Sequence, residues 1–296
     1  MLPILKTNQY PFPMDKQIRN FYDDYKSGRS SRRDFLRKLV MYTGGAAAAM
    51  AVLPSLGEEI ISPDELQDFP GLVTEFIKYP GATGDMRAYL ARPAEQKKYP
   101  AVIVIHENRG LVSHIQDVNR RMAREGFLSL APDALSPVGG TPDDVSNVGE
   151  LFKKLKSEET VQNFVAAVKY LETHPNSNGK VGCTGFCWGG AMTNQVAVNA
   201  PTLKAAIPYY GRQPAVEEVP KIKAAVMAHY GENDQGINAG ISAFEEALKK
   251  ANIEYKIFIY PGAGHAFNND TGPRYNEEAA KLSWKRTIDF FKEKLT

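Results

Sequence analysis

The run Tyr99–Glu107, YPAVIVIHE, restricts the fold more than any other stretch of the chain. It is short, rich in β-branched residues and without a polar face, so it reads as a strand that water touches on neither side. Such a strand needs helices over both faces, which points to a mostly parallel, doubly wound sheet.

The surrounding pattern supplies the rest of that sheet. LVTEFIKYP and MRAYLARP alternate apolar and polar residues, as half-exposed antiparallel strands do. FLSLAPDA, KVGCTGFC, LKAAIPYYG, IKAAVMAHYG and YKIFIYPG read as further strands. Between them, Ile115, Val118 and Met122 recur at helical spacing, as do Val161, Phe164, Val165, Val168 and Leu171. Ser113 and Gln116 stand at capping-box spacing for the first of these helices. ISAFEEALKKA and a closing segment over 276–294 complete the helices. In open sheets of this kind, chemistry gathers at the carboxyl ends of the strands.

The segment before the sheet is different. Residues 1–65 form an extension, and 66–296 are long enough for one large domain with a full core. Within the extension, SRRDFLRK resembles a twin-arginine export signal, and the alanine-rich stretch after it ends in Ala-Met-Ala at 49–51. That stretch is too short and too rich in glycine to span a bilayer. The competing expectation is helices whose apolar side, Phe21, Tyr25, Phe35 and Leu39, packs on the domain that follows. A reactive thiol favours the cytoplasm, whereas the arginine pair favours export to the periplasm. The structural, cytoplasmic alternative is the one preferred.

Composition narrows the chemistry. With 36 Lys and Arg against 34 Asp and Glu, the net charge is +2, which gives no reason to expect a nucleic-acid surface. Two cysteines, Cys183 and Cys187, are too few for a disulfide framework or a zinc site, and the five histidines lack metal-ligand spacing. No metal or cofactor is expected. Oligomeric state is left open.

Cys187 stands between glycines where KVGCTGF ends, a position at which neither strand nor turn propensity favours cysteine. Asp234 follows AVMAHYGEN, and His265 follows IFIYPGAG. Nucleophile, acid and histidine, each just past a strand end, come in the order of the α/β-hydrolase triad, with Cys replacing Ser in Gly-x-Ser-x-Gly. The glycines then have a steric reason. A strained strand-to-helix turn leaves no room for side chains at Gly185 and Gly189, and it sets the sulfur at a helix N-terminus, which favours a thiolate. Glu232 competes with Asp234 for the acid position, and Asp234 is preferred. Cys183, inside the strand, reads as packing, as do His106, His114, His174 and His229.

GFCWGG at 185–190, PYYG at 208–211, GENDQ at 231–235, PGAGHAF at 261–267 and IHENRGL at 105–111 together resemble the dienelactone hydrolase family over about residues 72–294. The resemblance implies a triad of Cys187, Asp234 and His265. It implies that Glu107 contacts the resting thiol and helps ionise it. It places the oxyanion hole on the backbone N–H groups of Asn108 and Trp188, and Tyr210 against the substrate. The chain departs from the family where arginines hold a substrate carboxylate: Asn269 stands at one such position, and 143–160 contains no arginine. Arg109, Arg212 and Arg274 are the cations near the expected mouth, and Arg109 and Arg212 are the candidates for binding substrate. The implied function is hydrolysis of a small ester or lactone, with a carboxymethylenebutenolidase type included. The alternative is a non-catalytic small-molecule binder on the same fold.

Overall fold

The computed structural model describes residues 15–27, 29–30, 32–43, 49, 51–58 and 71–296. The chain divides into two compact units, Met1–Gly71 and Leu72–Thr296.

In the first unit, α1 (Lys16–Lys26) and α2 (Arg32–Thr43) bury Ile18, Tyr22, Phe35, Leu36 and Leu39 in one cluster with Leu53 and Leu56. Phe21 and Tyr25 pack against this cluster, and the Tyr25 and Phe35 rings stack 5.3 Å apart. Tyr22 donates to Glu58 at 3.0 Å, which ties the helices to the chain that leaves them. The alanine-rich run at 44–48 lies outside the described residues.

The second unit is an eight-stranded sheet. Its strands are β1 (Leu72–Gly81), β2 (Gly84–Pro93), β3 (Tyr99–Ile105), β4 (Leu128–Pro132), β5 (Ser177–Phe186), β6 (Ala205–Tyr209), β7 (Ala225–Gly231) and β8 (Tyr255–Tyr260). They are ordered β1-β2-β4-β3-β5-β6-β7-β8. The β1–β2 and β2–β4 pairs are antiparallel and the remaining pairs are parallel. This is the expected doubly wound α/β-hydrolase fold.

The helices of this unit are α3 (Ser113–Arg124), α4 (Val148–Phe152), α5 (Ser157–Thr173), α6 (Trp188–Asn199), α7 (Gln235–Asn238), α8 (Ile241–Lys250) and α9 (Glu277–Leu295). Side chains of α5, α6 and α8 fill one core, and those of α3 and α9 fill the other. The β3 strand shows why both are needed. Ile103 and Ile105 face the first core and Val102 and Val104 the second, all fully buried. Each contributes about 1.5–3 kcal/mol by leaving water.

One local expectation fails. The N-cap of α3 is Val112, not Ser113, and no side chain caps it. The Gln116 amide instead donates to the Leu111 carbonyl at 3.2 Å. Ser113 lies one residue inside the helix, from where its hydroxyl does not serve as the cap.

Candidate active site

Three strand ends meet at the carboxyl edge of the sheet. Cys187 closes β5 and opens α6 with φ 56 and ψ −114, a left-handed backbone that a side chain rarely adopts. Its amide donates to the Tyr209 carbonyl at 3.1 Å, and its carbonyl accepts from Ala191 at 3.1 Å. The flanking glycines allow this turn. A Cβ on Gly185 would stand 2.6 Å from the Gly189 carbonyl carbon and 2.7 Å from Thr193 Oγ1. One on Gly189 would stand 2.8 Å from the Ile105 carbonyl carbon. The start of α6 therefore presses directly on the end of β3.

His265 lies in the loop after β8, where its Nε2 is 3.0 Å from Cys187 Sγ and its Nδ1 is 2.6 Å from Asp234 Oδ2. The imidazole is only a quarter exposed and the carboxylate less so. The hydrogen bond with Cys187 and, behind it, the one with Asp234 raise the His265 pKa to about 9, against the opposing effect of burial. At neutral pH the ring therefore holds its proton between sulfur and carboxylate. Glu232, the competing acid, turns away and accepts from the Gly262 N–H at 2.8 Å.

The thiol's hydrogen bond goes to His265, while Glu107 accepts from the Asn269 amide at 2.9 Å. No hydrogen bond joins Glu107 to the thiol in this arrangement. Tyr210 lies beside this cluster with φ 37, its ring 5.1 Å from that of His265. Its hydroxyl is buried and has no hydrogen-bond partner among the described residues. Burial first, and then the charge of Glu107, push its pKa well above the usual phenol range. Arg109, Arg212 and Arg274 are exposed.

Asn108 and Trp188 line a cleft of about 250 Å³, together with Gly149, Phe152, Leu155, Ser157, Thr160 and Met192. The Trp188 ring stacks on that of His106 at 5.5 Å and 14°, and Phe152 stands edge-on to it at 5.1 Å. Neither Arg109 nor Arg212 lines this cleft.

His106, Asp133 and Thr141 together hold the loop after β3, an arrangement the sequence reading missed. His106 Nδ1 donates to the Glu107 carbonyl at 2.7 Å, and its Nε2 accepts from the Ala134 N–H at 3.1 Å. That pairing fixes a neutral ring, and burial lowers its pKa in the same sense. Thr141 Oγ1 accepts from the Leu111 N–H and donates to buried Asp133, both at 2.8 Å. The segment Glu107–Leu111 is thus clamped from both ends by the turn after β4. The one trace of this in sequence is an aspartate directly after a strand. His114, assigned to packing, is buried with Nδ1 3.4 Å from Asp270. Cys183 is fully buried within β5, and burial raises its pKa to about 12. No group of side chains among the described residues has the makings of a metal site.

Residues 86–295 match the family model of the Dienelactone hydrolase family. A provisionally named carboxymethylenebutenolidase of Methylorubrum extorquens is 34% identical over 277 residues, covering 87% of this chain and 92% of its own. One from Escherichia coli is 32% identical over 262 residues, covering 83% and 94%. Among solved structures, a provisionally named dienelactone hydrolase from Klebsiella pneumoniae superposes with TM-score 0.69 at 31% identity, over 75% of this chain and 99% of that one. A dienelactone hydrolase from Anabaena variabilis shares the fold, with TM-score 0.59 at 18% identity.

Proposed function

The chain belongs to the dienelactone hydrolase family, and from that premise we propose that it cleaves carboxylic esters or lactones through Cys187, His265 and Asp234. The observation that carries this reading is His265, which bridges the sulfur and the carboxylate at 3.0 and 2.6 Å.

In the proposed reaction the Cys187 sulfur attacks the ester carbonyl as a thiolate, favoured by its place at the N-terminus of α6. An S–C bond forms, and the carbonyl π pair moves to oxygen, where the N–H groups of Asn108 and Trp188 receive it. The intermediate collapses, the C–O bond to the alcohol breaks, and His265 gives its proton to the departing oxygen. The thioester is then hydrolysed: water attacks, His265 takes its proton, and the sulfur leaves. Asp234 orients the ring and stabilises its charged form. Glu107, tied to Asn269, adds a negative charge beside Tyr210, and the Tyr210 hydroxyl, without a partner among the described residues, is a donor for substrate oxygen. The carboxymethylenebutenolidase names of the relatives make a lactone one member of the substrate class.

The test is iodoacetamide labelling alongside hydrolysis of p-nitrophenyl acetate. Labelling of Cys187 should abolish hydrolysis, and Cys187→Ala should lack it. Labelling of Cys183 with activity retained, or an active Cys187→Ala, would refute the assignment.

A further inference from the structure

The cleft beside Trp188 has two properties that bear on what it accepts. None of its eight lining residues carries a charge. Phe152, Leu155, Trp188 and Met192 make it predominantly apolar. Thr160, its buried hydroxyl, already donates to the Lys156 carbonyl at 2.9 Å. The neighbouring lysines do not supply a cation: Lys153 and Lys156 are exposed and paired with Glu150 and Glu159, and Lys154 is exposed. Trp188 is packed among the rings of His106, Phe152 and Phe164, which restricts its rotation. The cleft is therefore formed before any ligand arrives, which lowers the cost of binding one.

Its place relative to the proposed triad decides which part of an ester enters. His265 delivers a proton to the leaving alcohol, so the alcohol lies on the His265 side. The cleft is bounded by Asn108 and by Trp188, the residue after Cys187, and neither Cys187 nor His265 is among its lining residues. With the carbonyl oxygen on those two residues' N–H groups and the alcohol beside His265, the acyl substituent is the part of the ester left to enter the cleft. A carboxylate on that substituent would enter an apolar space with no counter-charge, which is costly. Asn269, on the opposite side, is neutral and already engaged with Glu107.

We infer that the cleft lined by Phe152, Leu155, Trp188 and Met192 is an acyl-group subsite for short, uncharged, apolar acyl chains, and that the enzyme selects neutral esters over carboxylate-bearing ones. This rests on the ester-hydrolase reading above. At about 250 Å³ the cleft is smaller than the roughly 300–1,000 Å³ of drug-sized ligand sites, which sets the limit to short chains.

The experiment compares p-nitrophenyl pentanoate with mono-p-nitrophenyl glutarate on the full chain. The two share an alcohol and an acyl length and differ by one terminal carboxylate; spontaneous hydrolysis is subtracted. The pentanoate should be favoured at least about tenfold in kcat/KM. In Met192→Lys, which adds a flexible cation to the cleft wall, that ratio should move toward the glutarate by a similar factor. A glutarate that matches or exceeds the pentanoate in the wild-type chain, hydrolysed in a Cys187-dependent way, overturns the subsite and leaves the hydrolase reading standing. Hydrolysis of neither ester overturns both. The wild-type comparison decides the matter if the variant fails to fold.

Discussion

Gly189→Ala tests the link between the elbow and the oxyanion loop. The added Cβ would stand 2.8 Å from the Ile105 carbonyl carbon, and closer still to the carbonyl oxygens of Ile105 and His106. Ordinary contact begins near 3.4 Å, so β3 and α6 must separate by at least 0.6 Å, the step from 2.8 to 3.4 Å. The obstructing atoms are backbone on both sides, and no side chain can swing away. Forced overpacking of this kind costs about 1–3 kcal/mol. For a domain of this size that lowers the unfolding midpoint by roughly 2–12 °C. The displaced carbonyls immediately precede Glu107 and Asn108, and the displaced helix begins with Trp188. The two proposed oxyanion donors therefore move apart, and kcat should fall about ten- to a hundredfold. The assay is steady-state hydrolysis of a p-nitrophenyl ester together with thermal unfolding. Gly236→Ala is the control, since a Cβ there meets nothing within 4 Å. A Gly189→Ala protein with wild-type kcat and midpoint would refute the reasoning.

Three further outcomes are expected. His265 has a folded pKa of about 9 against an ordinary 6.5, so its protonation stabilises the fold fully below pH 6.5 and that contribution is lost as pH rises through about 9. The pH profile of kcat/KM should fall through the same range, and in Asp234→Asn the falling limb should move to lower pH because a group that raises the pKa is gone; an unmoved limb would separate Asp234 from His265. Thr141→Val removes the acceptor for Leu111 and a donor to buried Asp133; it should cost about 1–3 kcal/mol in denaturant unfolding and lower kcat, while Thr141→Ser stays near wild type. The N-terminal helices bury Phe35, Leu36 and Leu39 against Ile18 and Tyr22, so the protein recovered from its native cell should retain them; a mature chain that begins near Val52 would show that they serve as an export signal.

Much of the fold was legible from single stretches of sequence because the relevant physics is local. A β-branched run without a polar face, such as Val102–Ile105, must be covered on both sides wherever it occurs. The glycines around Cys187 were legible for a similar reason, since a sharp strand-to-helix turn excludes side chains at fixed offsets from the nucleophile. The capping box at Ser113 and Gln116 failed because spacing alone does not say which residue the helix begins on. The structure begins the helix at Ser113, after Val112, and Gln116 bonds Leu111 instead.

By itself the sequence determined which reactive groups the chain carries and their order past successive strand ends, since both follow from residue identity and local periodicity. Tertiary structure set which of Glu232 and Asp234, two residues apart on one loop, meets His265: a Gly262 N–H takes the first and His265 the second. It also decided that Glu107 pairs with Asn269, 162 positions away, and that His106, Asp133 and Thr141 hold the loop beside it. The cleft is the clearest case. Asn108, Phe152 and Trp188 come from separate segments, with Met192 one turn beyond Trp188 on α6, and no window of sequence holds the three segments together. Its shape and lack of charge arise only when the sheet brings the ends of β3 and β5 side by side under α4 and α5.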